Sequence, residues 1–276
     1  MEKKSQPRTQ RTIRKEIEIA APIEAVWKAL TEAAELARWF PLEARVEPGA
    51  GGTIYLSWGP PWEGTAQIDV WEPNQRFRWV EPSQFAKQHP AFATMAVEWV
   101  LEARGGKTLL RLVNSGFLDE GADWENEYHD SMNYGWGFML TNLRHYLERH
   151  AGTTRLVAWA RKKVAVSREA AFERLARAGG LFIEDARTAL REGERHALHA
   201  AWGEAFTGKV KFIRPPRGFC VTVDSLNDAL LWLSLEGSTG QLEAQLWLSA
   251  YGLPAAQVEA FEARWKNRLE EIFAEA

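Results

Sequence analysis

The sequence predicts an α+β protein made of two similar domains in tandem, each a curved antiparallel sheet wrapped around a long C-terminal helix. At 276 residues, the chain is long enough for two domains of ordinary size. In each half, a strand and short helical segments precede several strands, and a long amphipathic helix ends the half. This order occurs twice with a long period, which indicates two domains rather than small solenoid repeats.

Composition excludes several classes of protein. Hydrophobic residues make up 46% and charged residues 26%, with a net charge of -3, so no basic face for nucleic acid is expected. No apolar stretch approaches the length of a membrane span. The single cysteine, Cys220, cannot form an intramolecular disulfide, which favours a reducing, cytoplasmic location. It lies in an apolar strand and is expected to be a small buried hydrophobe. Residues 1–11 are polar and predict a flexible tail.

The first half opens with a strand over 12–20, in which isoleucines alternate with charged residues. Pro22 stands where a helix would begin. Thr31 is expected to cap a second short helix, which Pro41 ends. Further strands are predicted at 53–58, 65–71, 76–80, 94–103 and 108–114. A long helix over 126–149 presents an apolar face of Met132, Trp136, Met139, Leu143 and Leu147.

The second half repeats the pattern from residue 153. A strand over 155–166 leads to Ser167, a suitable helix cap. Strands follow at 194–202, 207–213, 219–226, 230–235 and 242–250, and Pro254 opens the final helix. Residues 64–73 correspond to 208–216, and the hairpin of 97–113 corresponds to 231–248. We therefore predict domains over 12–151 and 152–276.

Five segments of the first half carry a family resemblance. They are Ala-Pro-Ile-Glu-Ala-Val-Trp-Lys-Ala-Leu-Thr at 21–31, Leu-Ala-Arg-Trp-Phe at 36–40, residues 64–73, the hairpin of 97–113, and Tyr-Gly-Trp-Gly at 134–137 followed by Leu140 and Leu143. In this order they resemble the SRPBCC superfamily, and within it the Aha-type homologues of the heat-shock-protein ATPase activator. The resemblance implies a helix-grip (birch-pollen-allergen-like, START-like) fold. The second half is similar only in order and pattern, and it lacks a Trp-Phe pair after its first helix.

A sheet that grips a helix leaves an interior that can receive a small molecule, with apolar walls and a few orienting polar groups. The residues predicted to line this interior are Trp39, Phe40, Trp58, Ile68, Trp79, Met95, Val97, Trp99, Trp136, Met139, Leu140 and Leu143. The alternative is that the same side chains only fill a core, which is the commonest role of aromatic stripes.

Polar candidates for chemistry are few. No catalytic, nucleotide-binding or zinc-binding motif is present in the sequence. A cyclase-like enzyme would need an acid or base inside the cavity, and we single out Tyr55, Glu98, Asn133 and Tyr134 for inspection. Strand alternation places Glu98 on the face opposite Trp99, which counts against it.

Two charged groups of residues are expected to face solvent. The acidic loop that surrounds His129 lacks the spacing of a known metal site, so no metal and no cofactor are predicted, and His129 is expected on the surface. Arg38, Arg76 and Arg78 could pair with an acidic ligand, but an outward, solvated face is the expected place for them.

The leading functional hypothesis is that the N-terminal domain binds a small hydrophobic or amphipathic molecule. The family resemblance implies a second, an Aha-type co-chaperone role in the stress response with a chaperone as protein partner. A cyclase or aromatase is the third. We also expect unequal domains, the first receiving a ligand and the second mainly structural. Gly135 and Gly137 flank Trp136 in the long helix, where they would permit close approach of another element or leave a gap beside the cavity.

Overall fold

The computed structural model describes residues 10–83, 94–119, 122–237 and 240–274. The chain divides into two compact units, Met1–Gly152 and Thr153–Ala276. Each is a helix-grip domain with one antiparallel sheet and a long C-terminal helix, so the predicted α+β class is confirmed. None of the helices in the described ranges is long and apolar enough to cross a membrane.

In its described residues, the first unit contains seven strands and three helices. They are β1 (Gln10–Ile19), α1 (Ile23–Thr31), α2 (Ala33–Leu36), β2 (Glu43–Val46), β3 (Thr53–Ser57), β4 (Glu63–Glu72), β5 (Arg76–Pro82), β6 (Thr94–Arg104), β7 (Lys107–Leu118) and α3 (Asp123–Arg149). The sheet has the order β1-β7-β6-β5-β4-β3-β2. Sequence patterns missed only β2, an edge strand of four residues. The predicted tail of 1–11 is wrong at Gln10 and Arg11, which pair with β7, and its residues 1–9 lie outside the described ranges.

The cap predicted for α2 and the start predicted for α3 both differ from the structure. Thr31 does not cap α2, because its hydroxyl donates to the Trp27 carbonyl at 2.7 Å and so closes the last turn of α1. Glu32 precedes α2 and makes no side-chain cap. The long helix α3 begins at Asp123, three residues before the predicted start, and the Glu125 carboxylate accepts a hydrogen bond from the Ala122 backbone N–H at 3.4 Å.

The described part of the second unit contains six strands, three α-helices and a short 3-10 helix (Asp224–Leu226). The strands and α-helices are β8 (Arg155–Val164), α4 (Arg168–Ala176), α5 (Ala186–Ala189), β9 (Arg195–His199), β10 (Ala205–Arg214), β11 (Gly218–Val223), β12 (Ala229–Glu236), β13 (Leu242–Tyr251) and α6 (Ala255–Ile272). Ser167 caps α4 as predicted, because its hydroxyl accepts a hydrogen bond from the Ala170 N–H. The sheet order is β8-β13-β12-β11-β10-β9. This is the order of the first sheet without a counterpart of β2.

Candidate functional site

The inner face of the first sheet is defined by a row of residues that runs across its centre. Ile68 on β4 lies opposite Trp79 on β5, Trp79 opposite Val97 on β6, and Val97 opposite Asn114 on β7. Directly opposed residues share a face of the sheet, so all four side chains point toward α3 with Trp136. The Trp136 indole N–H donates to the Asn114 amide oxygen at 2.9 Å, which fixes the helix on the sheet.

Aromatic rings extend from this row in both directions. We call Trp39, Phe40, Trp58, Trp79, Trp99 and Trp136 the aromatic cluster. Phe40 stacks on Trp39 with 4.9 Å between centroids and on Trp136 with 5.4 Å, and its edge meets Trp58 at 5.0 Å. Trp99 contacts Trp136 at 5.5 Å. The distances lie in the range of favourable ring pairs, so the cluster is one continuous aromatic surface.

The deep end of the aromatic cluster is held rigidly. Trp39 is fully buried, and its indole N–H donates to the Ala29 carbonyl at 2.7 Å. The Asn142 amide of α3 donates to the Trp39 carbonyl. These hydrogen bonds hold α1, the segment after α2, and α3 together, so the deep rings cannot move without breaking buried polar contacts.

Burial divides the predicted lining into two classes. Ten of its twelve members are buried, whereas Trp58 at the end of β3 and Met139 on α3 are half-buried. The partly exposed ring of Trp58 is in direct contact with the buried ring of Phe40. Strand register and ring contacts therefore place most of the predicted residues on one inner face, and Trp58 is the member of the aromatic cluster that stays partly exposed.

A carboxylate that the sequence reasoning missed also lies on the inner face. Glu81 follows Phe77 and Trp79 at alternate positions of β5 and lies opposite Met95 on β6. It is half-buried, and among the described residues it makes no hydrogen bond and no ion pair. Burial raises the pKa of the Glu81 carboxyl above its ordinary value. The period-two pattern of β5 could have revealed Glu81, because it continues past Val80, where we predicted that the strand would end.

Met95 connects this carboxylate to the long helix. The Tyr128 hydroxyl of α3 donates to the Met95 sulfur at 3.3 Å. Glu81, Met95 and Tyr128 thus make one end of the interior more polar than its centre.

The four polar residues that we considered as catalytic candidates do not join Glu81 on the inner face. Glu98 faces outward, as predicted, and forms an ion pair with Arg76. The Tyr55 hydroxyl donates to Glu63 at 2.9 Å, on the exposed side of β3 and β4. Asn133 is half-buried and Tyr134 is buried. Asn133 and Tyr134 are neighbours of the Trp136 stripe on α3 rather than members of it. Glu81 is therefore the inward-facing carboxylate that the enzyme hypothesis requires, at a position we did not predict.

The outer face of the sheet is a ladder of cross-strand ion pairs. Arg111 on β7 contacts Glu16 on β1 at 2.8 Å and Glu102 on β6 at 3.1 Å. Arg78 contacts Asp69 at 3.3 Å. The predicted outward position of Arg76 and Arg78 is thus observed. Arg38 is part-buried instead: it pairs with Glu35 and donates to the Tyr146 hydroxyl of α3 at 3.5 Å, so the expected solvated position is wrong for this residue.

The acidic segment before α3 is less exposed than expected. His129 was expected on the surface, but only 18% of its side chain is exposed, because the ring lies edge-on against Phe117 at 5.3 Å. Glu125 is buried at the start of α3. Asp130 remains exposed, and Glu120 of the same segment lies outside the described residues.

Comparison with protein families identifies the first unit. The model of the family described as Activator of Hsp90 ATPase homolog 1-like protein matches residues 20–148. The first domain belongs to this family. The match confirms the resemblance predicted from the sequence, and we call this unit the Aha-type domain. A comparison with curated protein sequences finds no significant match.

Several solved structures are similar to this chain at low identity. The solution structure of the Aha1 dimer from Colwellia psychrerythraea is 21% identical over 51% of this chain and 99% of that chain, with a TM-score of 0.45. Protein MLL2253 from Mesorhizobium loti is 24% identical over 51% and 98%, with a TM-score of 0.43. The di-domain ARO/CYC BexL from the BE-7585A biosynthetic pathway is 16% identical over 96% and 99%, with a TM-score of 0.43.

The two glycines of α3 in the Aha-type domain are not required by close packing. A Cβ added at Gly135 or Gly137 would have no described atom within 4 Å. Of the two interpretations of these glycines, close approach by another element is therefore wrong. Gly135 and Gly137 are both partly exposed, so the open space at them does not by itself locate a gap beside the Trp136 ring, which stays a prediction.

The interior of the second unit is filled by its own aromatic residues. Trp265 of α6 is buried and contacts the rings of Trp202, Phe206, Phe261 and Phe182 at 4.9 to 6.3 Å. Phe182 lies after α4, where we saw no counterpart of the Trp39–Phe40 pair, yet its ring enters the core. Cys220 is fully buried as expected, and burial raises the pKa of its thiol.

Proposed function

We propose that the Aha-type domain binds a small hydrophobic or amphipathic molecule between its sheet and α3. The observation that carries this proposal is the continuity of the aromatic cluster from the buried Trp39 to the half-buried Trp58. Natural ligand sites combine such apolar walls with a small number of polar groups that orient the guest. Glu81 lies on this inner face, as does Asn114, whose amide already donates to the Ala96 carbonyl and accepts from the Trp136 indole.

The burial pattern supports a site at one end of the interior rather than throughout it. Trp99 and Leu143 are fully buried by other parts of the protein, so they act as the wall behind the site. Trp58 and Met139 retain accessible apolar surface. Covering such surface with a guest is favourable by about 25 cal/mol per Å². The core-filling alternative thus accounts for the deep residues, and the ligand hypothesis concerns the accessible end.

Two matched variants test the proposal in the full-length protein. Trp58 and Trp159 are both half-buried tryptophans, one in each unit. Binding of naphthalene-based compounds, followed by energy transfer from protein tryptophan, should be saturable. Trp58→Ala should weaken it about tenfold, the loss expected for one well-packed ring. Trp159→Ala should leave affinity unchanged. Absence of saturable binding, or equal affinities for both variants, would refute the proposal.

A second candidate is binding to a chaperone of the Hsp90 class, which the family description of residues 20–148 favours. The outer face of the sheet carries the ion-pair ladder, so a partner docked there would be held electrostatically and released by salt. An ATPase assay of the chaperone with and without the chain tests this role. Stimulation that disappears at high salt is the expected result, and no stimulation would exclude it.

A further inference from the structure

Glu81 differs from the other acidic side chains in the middle of the first sheet. On the outer face, Asp69 and Glu98 are paired with arginines across the strand. Glu81 faces inward with Trp79, and no described residue donates a hydrogen bond or supplies a positive charge to it. A half-buried carboxylate in this position loses hydration without gaining a partner from the part of the chain that the structure describes.

The residues around Glu81 indicate which kind of ligand group could bind its carboxylate. Its cross-strand neighbour is Met95, and Trp79 is two residues away on the same face, about 7 Å along the strand. An anionic guest would be repelled by the carboxylate. A cation would be attracted both by the carboxylate and by the negative faces of nearby aromatic rings. A molecule with an apolar body and a cationic head group therefore matches the chemistry of the aromatic rings and of Glu81.

We infer that the ligand of the Aha-type domain is an apolar or aromatic molecule with a protonated amine, and that the Glu81 carboxylate binds that amine. This inference rests on the proposed binding function and adds the head group of the ligand. The ammonium donates a charge-assisted hydrogen bond to a carboxylate oxygen, and the hydrocarbon part contacts the accessible end of the aromatic cluster.

The test uses three probes with the same aromatic body and different head groups: 2-(2-naphthyl)ethylamine, 2-(2-naphthyl)ethanol and 2-naphthylacetate. Their affinities are measured at pH 7 with the full-length protein. We expect the amine to bind about tenfold more tightly than the alcohol, the gain typical of a charge-assisted hydrogen bond, and the carboxylate to bind most weakly.

Glu81→Gln keeps the shape of the side chain and removes its charge. It should abolish the preference for the amine and change the affinity for the alcohol less than twofold. Glu98→Gln is the matched control, because Glu98 lies on the neighbouring strand and faces outward. It should leave all three affinities unchanged. Thermal unfolding confirms that Glu81→Gln is folded, which we expect because the variant removes an uncompensated charge.

Each outcome is decisive. If the alcohol binds but wild-type protein does not prefer the amine, or if Glu81→Gln keeps that preference, the inference is wrong and the binding function stands. If none of the three probes binds, the proposed function fails, and the inference fails with it.

Discussion

The two domains have the same order of strands but fill the space between sheet and helix differently. In the Aha-type domain, rings run from the buried Trp39 to the half-buried Trp58, and Glu81 and Asn114 add polar groups. In the second domain, Trp265 is surrounded by aromatic side chains, and these side chains together fill the space between sheet and helix. One framework thus carries the binding site that we propose in the first domain and a core of aromatic residues in the second. The choice depends on which residues project inward at a few positions.

The edges of the two sheets differ as well. The first sheet ends in β2, whereas at the corresponding edge of the second sheet the described residues form only an isolated bridge between Phe182 and Ala200. The segment between the first helix and the edge strand holds Trp39 and Phe40 in one domain and Phe182 in the other. That the cavity within 12–150 is larger than any within 153–276 stays a prediction. The variants below test the comparison at individual positions.

The largest difference should appear when a central tryptophan is removed. Trp265→Ala deletes a buried ring from the second core and should cost about 3–5 kcal/mol. Trp58→Ala removes a half-buried ring from the Aha-type domain and should cost about 1–2 kcal/mol. Hydrogen exchange resolved by domain measures both losses in the full chain. Equal losses would mean that the first interior is packed as tightly as the second.

Two glycines on corresponding strands offer the next test. Gly64 lies on β4 and Gly208 on β10, and the bulges after Ile68 and Val210 make Ala66 the equivalent of Gly208. A Cβ at Gly208 would lie 2.0 Å from the Thr222 carbonyl oxygen, whereas one at Gly64 would have no described atom within 4 Å. Gly208→Ala should therefore destabilise its domain by about 1–3 kcal/mol, and Gly64→Ala should stay within about 0.5 kcal/mol. Denaturant unfolding measures both. A tolerated Gly208→Ala would contradict the tighter packing of the second domain.

The glycines of α3 should give a smaller effect of opposite sign. Gly135→Ala and Gly137→Ala each add a methyl group where space is open, and each should stabilise the helix by about 0.5–1 kcal/mol. Gly135→Leu should reduce ligand uptake more than it reduces stability. Urea unfolding and probe titration of the same variants separate the two effects. Destabilisation by either alanine would show that the glycines serve packing after all.

The smallest effect is a dependence on pH in the second domain. Burial lowers the pKa of His196 below its ordinary value, and its Nε2 lies 2.9 Å from the Thr222 carbonyl oxygen. The folded state therefore favours the neutral ring, while the unfolded chain takes up a proton near pH 6.5. Stability should fall as pH drops below about 6.5 and level off below the folded pKa.

Hydrogen exchange at pH 7.5 and 5.5, corrected for intrinsic rates, measures this loss. His196→Gln should remove part of the dependence, whereas His199→Gln, at a more exposed position of the same strand, should keep it. An unchanged pH profile in His196→Gln would contradict the assignment to His196.

Much of the fold could be predicted from local patterns. Alternation together with turn residues located all strands of the first sheet except β2, which is too short to show a period. The Ser167 cap was predicted because such a cap depends on residues within one turn. The Thr31 cap was wrong because the same hydroxyl can instead reach the carbonyl four residues earlier, and sequence does not distinguish these partners.

By itself, the sequence determined the two domains, the order of their elements and the aromatic character of the first interior, because these depend on periodicity and composition. Only the tertiary structure decided which of those residues are buried and which polar groups join them. Asn114 meets Trp136 because strand register and helix packing bring residues distant in the chain together. Glu81 faces the interior because β5 extends past Val80, and Phe182 enters the second core from a segment without any period. Long-range packing fixes these positions, and no local pattern encodes them.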